Sequence, residues 1–109
     1  AETEEEWKKA LERLGYSLED ISEVFITHHH PDHYGLAGWF QSQCNCRVYM
    51  SQRAHDESLL MWGSDSDIHT EFTLWLRQHG LPDEWADQME QHFIDFIPQV
   101  SPTPHITIV

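Results

Sequence analysis

Residues Phe25–Gly35 read "FITHHHPDHYG". Four histidines and one aspartate fall within the six residues His28–His33. The run before them, Val24–Thr27, is β-branched and aromatic, and its length suits a buried strand. The cluster begins where that run stops, which puts it on the loop beyond the strand's carboxyl end. Three readings compete. A purification tag would sit at a terminus, and this run is internal. A purely structural cluster is electrostatically awkward, because desolvation and mutual repulsion need something to offset them. A metal site supplies that offset, since neutral imidazole and carboxylate both ligate borderline cations. In extended chain, residues two apart face the same way. His28 and His30 can therefore converge on one metal while His29 points elsewhere. Asp32 and His33 follow a proline that stiffens the turn, and they can face a second metal close by. Two neighbouring metals can activate water for hydrolysis of esters, amides or phosphodiesters.

Outward from this loop, the pattern alternates strand and helix. "HYGLAGWFQSQ" is rich in small residues that suit a helix packed closely against a sheet. Cys46–Met50 reads as a second strand, so the stretch suggests a parallel βαβ unit. Upstream, Thr3 with Glu6 reads as a capping box for a helix carrying Trp7, Ala10, Leu11 and Leu14, with Gly15 placed to end it. Downstream, Ser51 is a candidate cap for a helix through to Gly63. Phe72, Trp75, Leu76 and His79 mark a second helix, and Trp85, Met89, Phe93 and Phe96 a third, which Pro98 stops. "HITIV" at the end reads as one more strand.

The chain has 109 residues, enough for one domain or part of a larger one. Apolar content of 39% and five tryptophans exclude a disordered acidic tail. A formal net charge of −13 repels nucleic-acid backbone and anionic lipid, so neither nucleic acid nor membrane is expected as a partner. There is no apolar run of ~18 residues. The first residues, "AETEEEWKK", lack the apolar core of a signal peptide. Cys44 and Cys46 are the only cysteines. Read as neighbours on one strand face, they have poor geometry for bonding each other. Two free thiols suit a reducing compartment, and a cytoplasmic location is expected.

"THHHPDH" resembles the His-x-His-x-Asp-His signature of the metallo-β-lactamase fold superfamily. A hydrophobic strand ending in threonine precedes it and the small-residue helix "YGLAG" follows. The resemblance runs from about Leu18 to Met50, and residues 51–97 resemble the α-helical insertion of some members. It implies an α/β fold: a partial αββα sandwich with one βαβ unit plus a helix-rich insertion. It also implies a metal-dependent hydrolase, with two zinc ions per complete site or sometimes iron or manganese. By motif position, His28 and His30 would ligate the first metal, and Asp32 and His33 the second. Asp32 would also be catalytic, orienting the attacking water or taking up its proton. His29 is the variable position and should not ligate. The implied substrate is a small molecule such as an ester, thioester, lactone or amide.

The family also uses a later histidine in a Gly-His-Thr type loop, a bridging aspartate and a last histidine. After Phe96 this chain offers only His105, in a strand-like context. The expectation is a single incomplete domain, 1–109, whose remaining ligands lie outside this chain. Residues 1–50 would be a helix plus the βαβ metal-loop segment, 51–97 a helical insertion or lid, and 98–109 a linker and terminal strand. The isolated chain should bind metal weakly, have little or no hydrolase activity, and self-associate through uncovered sheet surface. The rival readings are a non-hydrolytic redox or sensor member of the same fold, and a helical partner-binding module in 51–97. His55, His69, His79, His92 and His105 read as surface or boundary residues.

Overall fold

The computed structural model describes residues 2–109, so Ala1, the first position of the expected 1–50 segment, lies outside the described residues. Three short strands form a parallel sheet in the order β1-β2-β3: β1 is Glu23–Phe25, β2 is Arg47–Met50 and β3 is Ile106–Ile108. Val24 lies opposite Val48, and Val48 opposite Ile106. Helices α2 (Pro31–Tyr34) and α3 (Ala37–Cys44) carry the chain from β1 to β2. Helices α4 (Gln52–Trp62), α5 (Ile68–Gln78) and α6 (Asp83–Phe96) carry it from β2 to β3, and α1 (Glu2–Arg13) precedes the sheet. This is an α/β architecture with one βαβ unit and a helix-rich stretch, as the resemblance implied.

The core explains how the histidine loop is held. Tyr34, Met50, Ala54, Trp62 and Val100 form one buried cluster, with Ile26, Met61, Phe96 and Ile106 packed against it. Ile26 precedes the loop and Tyr34 follows it, so both flanks of His28–His33 are anchored in the same apolar cluster. Helix α3 lies close to the segment before β3. Buried Gly38 permits this, because a Cβ there would sit 1.7 Å from the Pro102 carbonyl oxygen. Gln41, one turn further on, accepts from the His105 amide at 2.7 Å and donates to its carbonyl at 2.9 Å. The α5–α6 hairpin packs around fully buried Thr73 and Ala86, and Arg77 pairs with Asp83 and Asp87.

Several local expectations are corrected. The first ladder ends at Phe25 rather than Thr27, although the Ile26 amide still reaches the Tyr49 carbonyl at 2.9 Å. Thr3 lies inside α1 and is not its cap. The two cysteines are not neighbours on one strand: Cys44 closes α3, Asn45 turns left-handed at φ 51°, and Cys46 precedes β2. Both thiols are free, and burial with Cys44 alongside pushes the Cys46 thiol up to about 11. It therefore stays protonated near neutral pH and is not a candidate nucleophile or ready metal ligand.

The molecule is elongated, with extents of 54 × 29 × 18 Å and a Cα radius of gyration of 16.6 Å. A compact chain of this length has a radius near about 13 Å. Its accessible surface is 7590 Å², against roughly 6,300 Å² for a compact monomer of its mass. The excess is partly apolar. Phe25 on edge strand β1 is 64% exposed, and α1 buries no residue, meeting α3 through an edge-to-face contact of Trp7 with Phe40 at 5.1 Å.

Candidate metal centre

Pro31 decides the shape of the loop. It occupies the first turn of α2, where its missing N–H costs nothing and its fixed φ suits a helix. Asp32 and His33 are therefore first-turn residues of a short helix, not part of an extended loop. His30 is the residue before it, with extended backbone (φ −58°, ψ 142°), and its carbonyl accepts from the His33 and Tyr34 amides at 2.9 and 2.8 Å. The switch from extended chain to helix at Pro31 folds His33 back toward His28.

Three imidazoles meet as a result. The His28 ring centroid lies 4.6 Å from that of His30 and 4.2 Å from that of His33. Asp32 sits at the solvent edge of this group, with its carboxylate 3.5 Å from Nε2 of His33. Nδ1 of His28 and the Thr27 hydroxyl form a 2.8 Å hydrogen bond, which leaves Nε2 of His28 as its free nitrogen. Desolvation first, then the neighbouring His33 and His30, hold His28 below its ordinary pKa, with Asp32 pulling the other way. A neutral imidazole is the form that ligates a metal.

His29 behaves differently. Its ring is largely covered, and its Nδ1 lies 3.5 Å from the Glu57 carboxylate on α4. Its carbonyl accepts a 2.8 Å hydrogen bond from the indole N–H of Trp62, also on α4. Arg53 donates to Glu57 at 3.0 Å and, as the largest influence, keeps its carboxyl below the usual range. Sequence reasoning alone misses the contacts that Thr27, Glu57 and Trp62 make with the histidine loop. Thr27 could have been found from its place beside the first histidine. Glu57 and Trp62 carry no local signal, because only the packing of α4 brings them to the loop.

Among the described residues, no three His, Cys, Asp or Glu side chains are gathered as a set that could hold a metal ion. The rings of His28, His30 and His33 touch at faces and edges, tilted by 45° to 70°. The donor set still fits a borderline cation in chemistry: three imidazoles and one carboxylate on a loop anchored at both ends. Asp32 and His33 also form part of the wall of an open groove of ≈ 1040 Å³, whose apolar walls include Trp7, Val24, Phe40 and Phe96. Among the described residues no helix is long and apolar enough to cross a membrane.

The sequence profile of the Metallo-beta-lactamase superfamily matches residues 1–107. That match spans the histidine loop, the sheet and the helical stretch together, and with it this chain belongs to the metallo-β-lactamase superfamily.

Proposed function

We propose that this chain carries the first part of the metal site of a metal-dependent hydrolase acting on a small-molecule ester, thioester, lactone or amide. The observation that supports this most is the meeting of His28, His30 and His33, with Asp32 beside them, on one anchored loop. His28, His30, Asp32 and His33 are the residues that would hold zinc, or iron or manganese in its place. Bound there, the metal would polarise a scissile carbonyl and acidify water. Thr27 fixes which nitrogen His28 presents. Asp32, whose side chain is 78% exposed, is free to orient water and accept its proton. No lysine or arginine lines the adjacent groove among the described residues, while Glu4, Glu23 and Asp32 do. An uncharged, apolar acyl group suits that lining better than an anionic one. The remaining ligands are proposed to come from residues beyond these 109. The two free cysteines suit the cytoplasm.

The test is metal retention. The chain is exposed to zinc, desalted and assayed for metal beside an Asp32→Ala, His33→Ala double variant. Zinc kept by the chain and lost by the variant supports the reading. Zinc retained equally by chain and variant would refute it, because the ion would then be held elsewhere.

A second reading of residues 51–97 has its own support. Phe72, Trp75 and Trp85 are exposed on the α5–α6 hairpin, at 39%, 52% and 61%. A partner-binding surface there is compatible with the hydrolase reading. Selective loss of partner binding on Trp75→Ala and Trp85→Ala would test it.

A further inference from the structure

The histidine loop is gripped from outside by one helix. Helix α4 reaches His29 twice: Trp62 donates its indole N–H to the His29 carbonyl at 2.8 Å, and Glu57 lies 3.5 Å from Nδ1 of the His29 ring. His29 stands between the two histidines that share one side of the loop. Its carbonyl belongs to the peptide that joins it to His30, so holding that oxygen fixes the plane of the peptide from which His30 starts. The next carbonyl, that of His30, is held by the first turn of α2. Two consecutive peptides are thus fixed by different elements, and the side chains of His28, His30 and His33 leave the backbone around them.

Trp62 is itself firmly placed. It is 9% exposed and belongs to the main core cluster. Its ring lies 5.9 Å from that of His69, whose Nε2 meets the Met61 carbonyl at 2.7 Å and whose ring stacks on Phe93 at 4.6 Å. The indole N–H is therefore a rigid donor rather than a mobile one.

We infer that Trp62 is a positioning residue for the metal loop, holding the His29 carbonyl so that the flanking histidines are presented to an ion. This rests on the hydrolase reading above. It assigns the helical segment a role in metal binding that needs no ligand of its own. Groups that orient ligands without touching the metal typically change affinity by roughly 10–100-fold when removed.

The test compares wild type with Trp62→Phe, which keeps an aromatic ring and removes the donor. Co2+ is the probe, titrated against a competing chelator and followed by the visible bands of the bound ion. Amide hydrogen exchange at His33 and Tyr34, whose amides donate to the His30 carbonyl, is measured on the metal-free chain. Ala86→Gly, at the buried α5–α6 contact, is the control for lost stability without a change at the loop. Trp62→Phe should weaken Co2+ binding by about tenfold. It should also speed exchange at the loop amides by roughly fivefold, the factor expected for one lost hydrogen bond. Ala86→Gly should do neither. Wild-type Co2+ affinity and wild-type exchange in Trp62→Phe would overturn the positioning role alone. Equal effects from Ala86→Gly would overturn it too, by assigning them to stability. Absence of Co2+ uptake by the wild type even at a large excess of metal, where weak binding would still register, would overturn the hydrolase reading and the metal role of Trp62 with it.

Discussion

Gly38→Ala tests how closely α3 approaches the chain leading into β3. An added Cβ would lie 1.7 Å from the Pro102 carbonyl oxygen, 2.6 Å from its carbon and 3.1 Å from the Thr103 carbonyl carbon. Favourable contact begins near about 3.5 Å, so the segment would have to retreat by roughly 1.5–2 Å. Retreat is opposed by the two hydrogen bonds between Gln41 and His105, each contributing about 1 kcal/mol. It is also opposed by the pairing of β3 with β2. Overpacking of this kind costs about 1–3 kcal/mol, and the better helix propensity of alanine returns at most about 1 kcal/mol. The expected net loss is about 1–2 kcal/mol. For a chain of this size that lowers Tm by roughly 5–10 °C. Urea and thermal unfolding followed by circular dichroism would measure it. A variant as stable as wild type, or more stable, would refute the close approach and the placement of β3 that depends on it.

Met50→Ala, at a side chain 1% exposed in the core cluster, should cost about 2–5 kcal/mol in guanidinium unfolding; a loss under about 1 kcal/mol would mean that Met50 does not hold the loop's anchor. His28 sits below its ordinary pKa of 6.5, so the unfolded chain binds this proton more readily than the native one. Its contribution to stability is present above that pH and is lost as pH falls below it, giving a decline in Tm that His28→Asn should flatten; an unchanged slope would contradict the geometry of the three rings. The extended shape and exposed apolar surface predict concentration-dependent self-association, visible as rising mass in light scattering. Salt should strengthen it by screening the charge of −13, and constant monomer mass at high concentration and high salt would exclude it.

The parts of this structure legible in the sequence are those set by local rules. The strand–loop–helix–strand order around His28–His33 follows from periodicity and small residues. The cap of α4 at Ser51, whose hydroxyl accepts from the Ala54 amide at 3.2 Å, follows from residue type. The two-residue repeat of extended chain sets His29 apart from His28 and His30; in the structure its Nδ1 faces Glu57, yet its ring still meets that of His30 edge-to-face at 5.1 Å. What local rules miss depends on packing at a distance. Pro31 reads locally as a stiff turn, but Pro31–Tyr34 form a short helix whose Tyr34 is buried, and this brings His33 to His28. The left-handed Asn45 between the cysteines separates two residues that a strand pattern would align. Trp62 looks like any apolar residue near a helix end, and its hydrogen bond to His29 exists only because α4 packs against the loop.

The most direct test of the central claim is zinc anomalous diffraction from crystals of the chain grown with zinc. The account predicts an anomalous peak within roughly 2.0–2.2 Å of donor atoms from the set His28, His30, Asp32 and His33. His29 should still face Glu57. A peak held by other residues, with this loop bare, would contradict it.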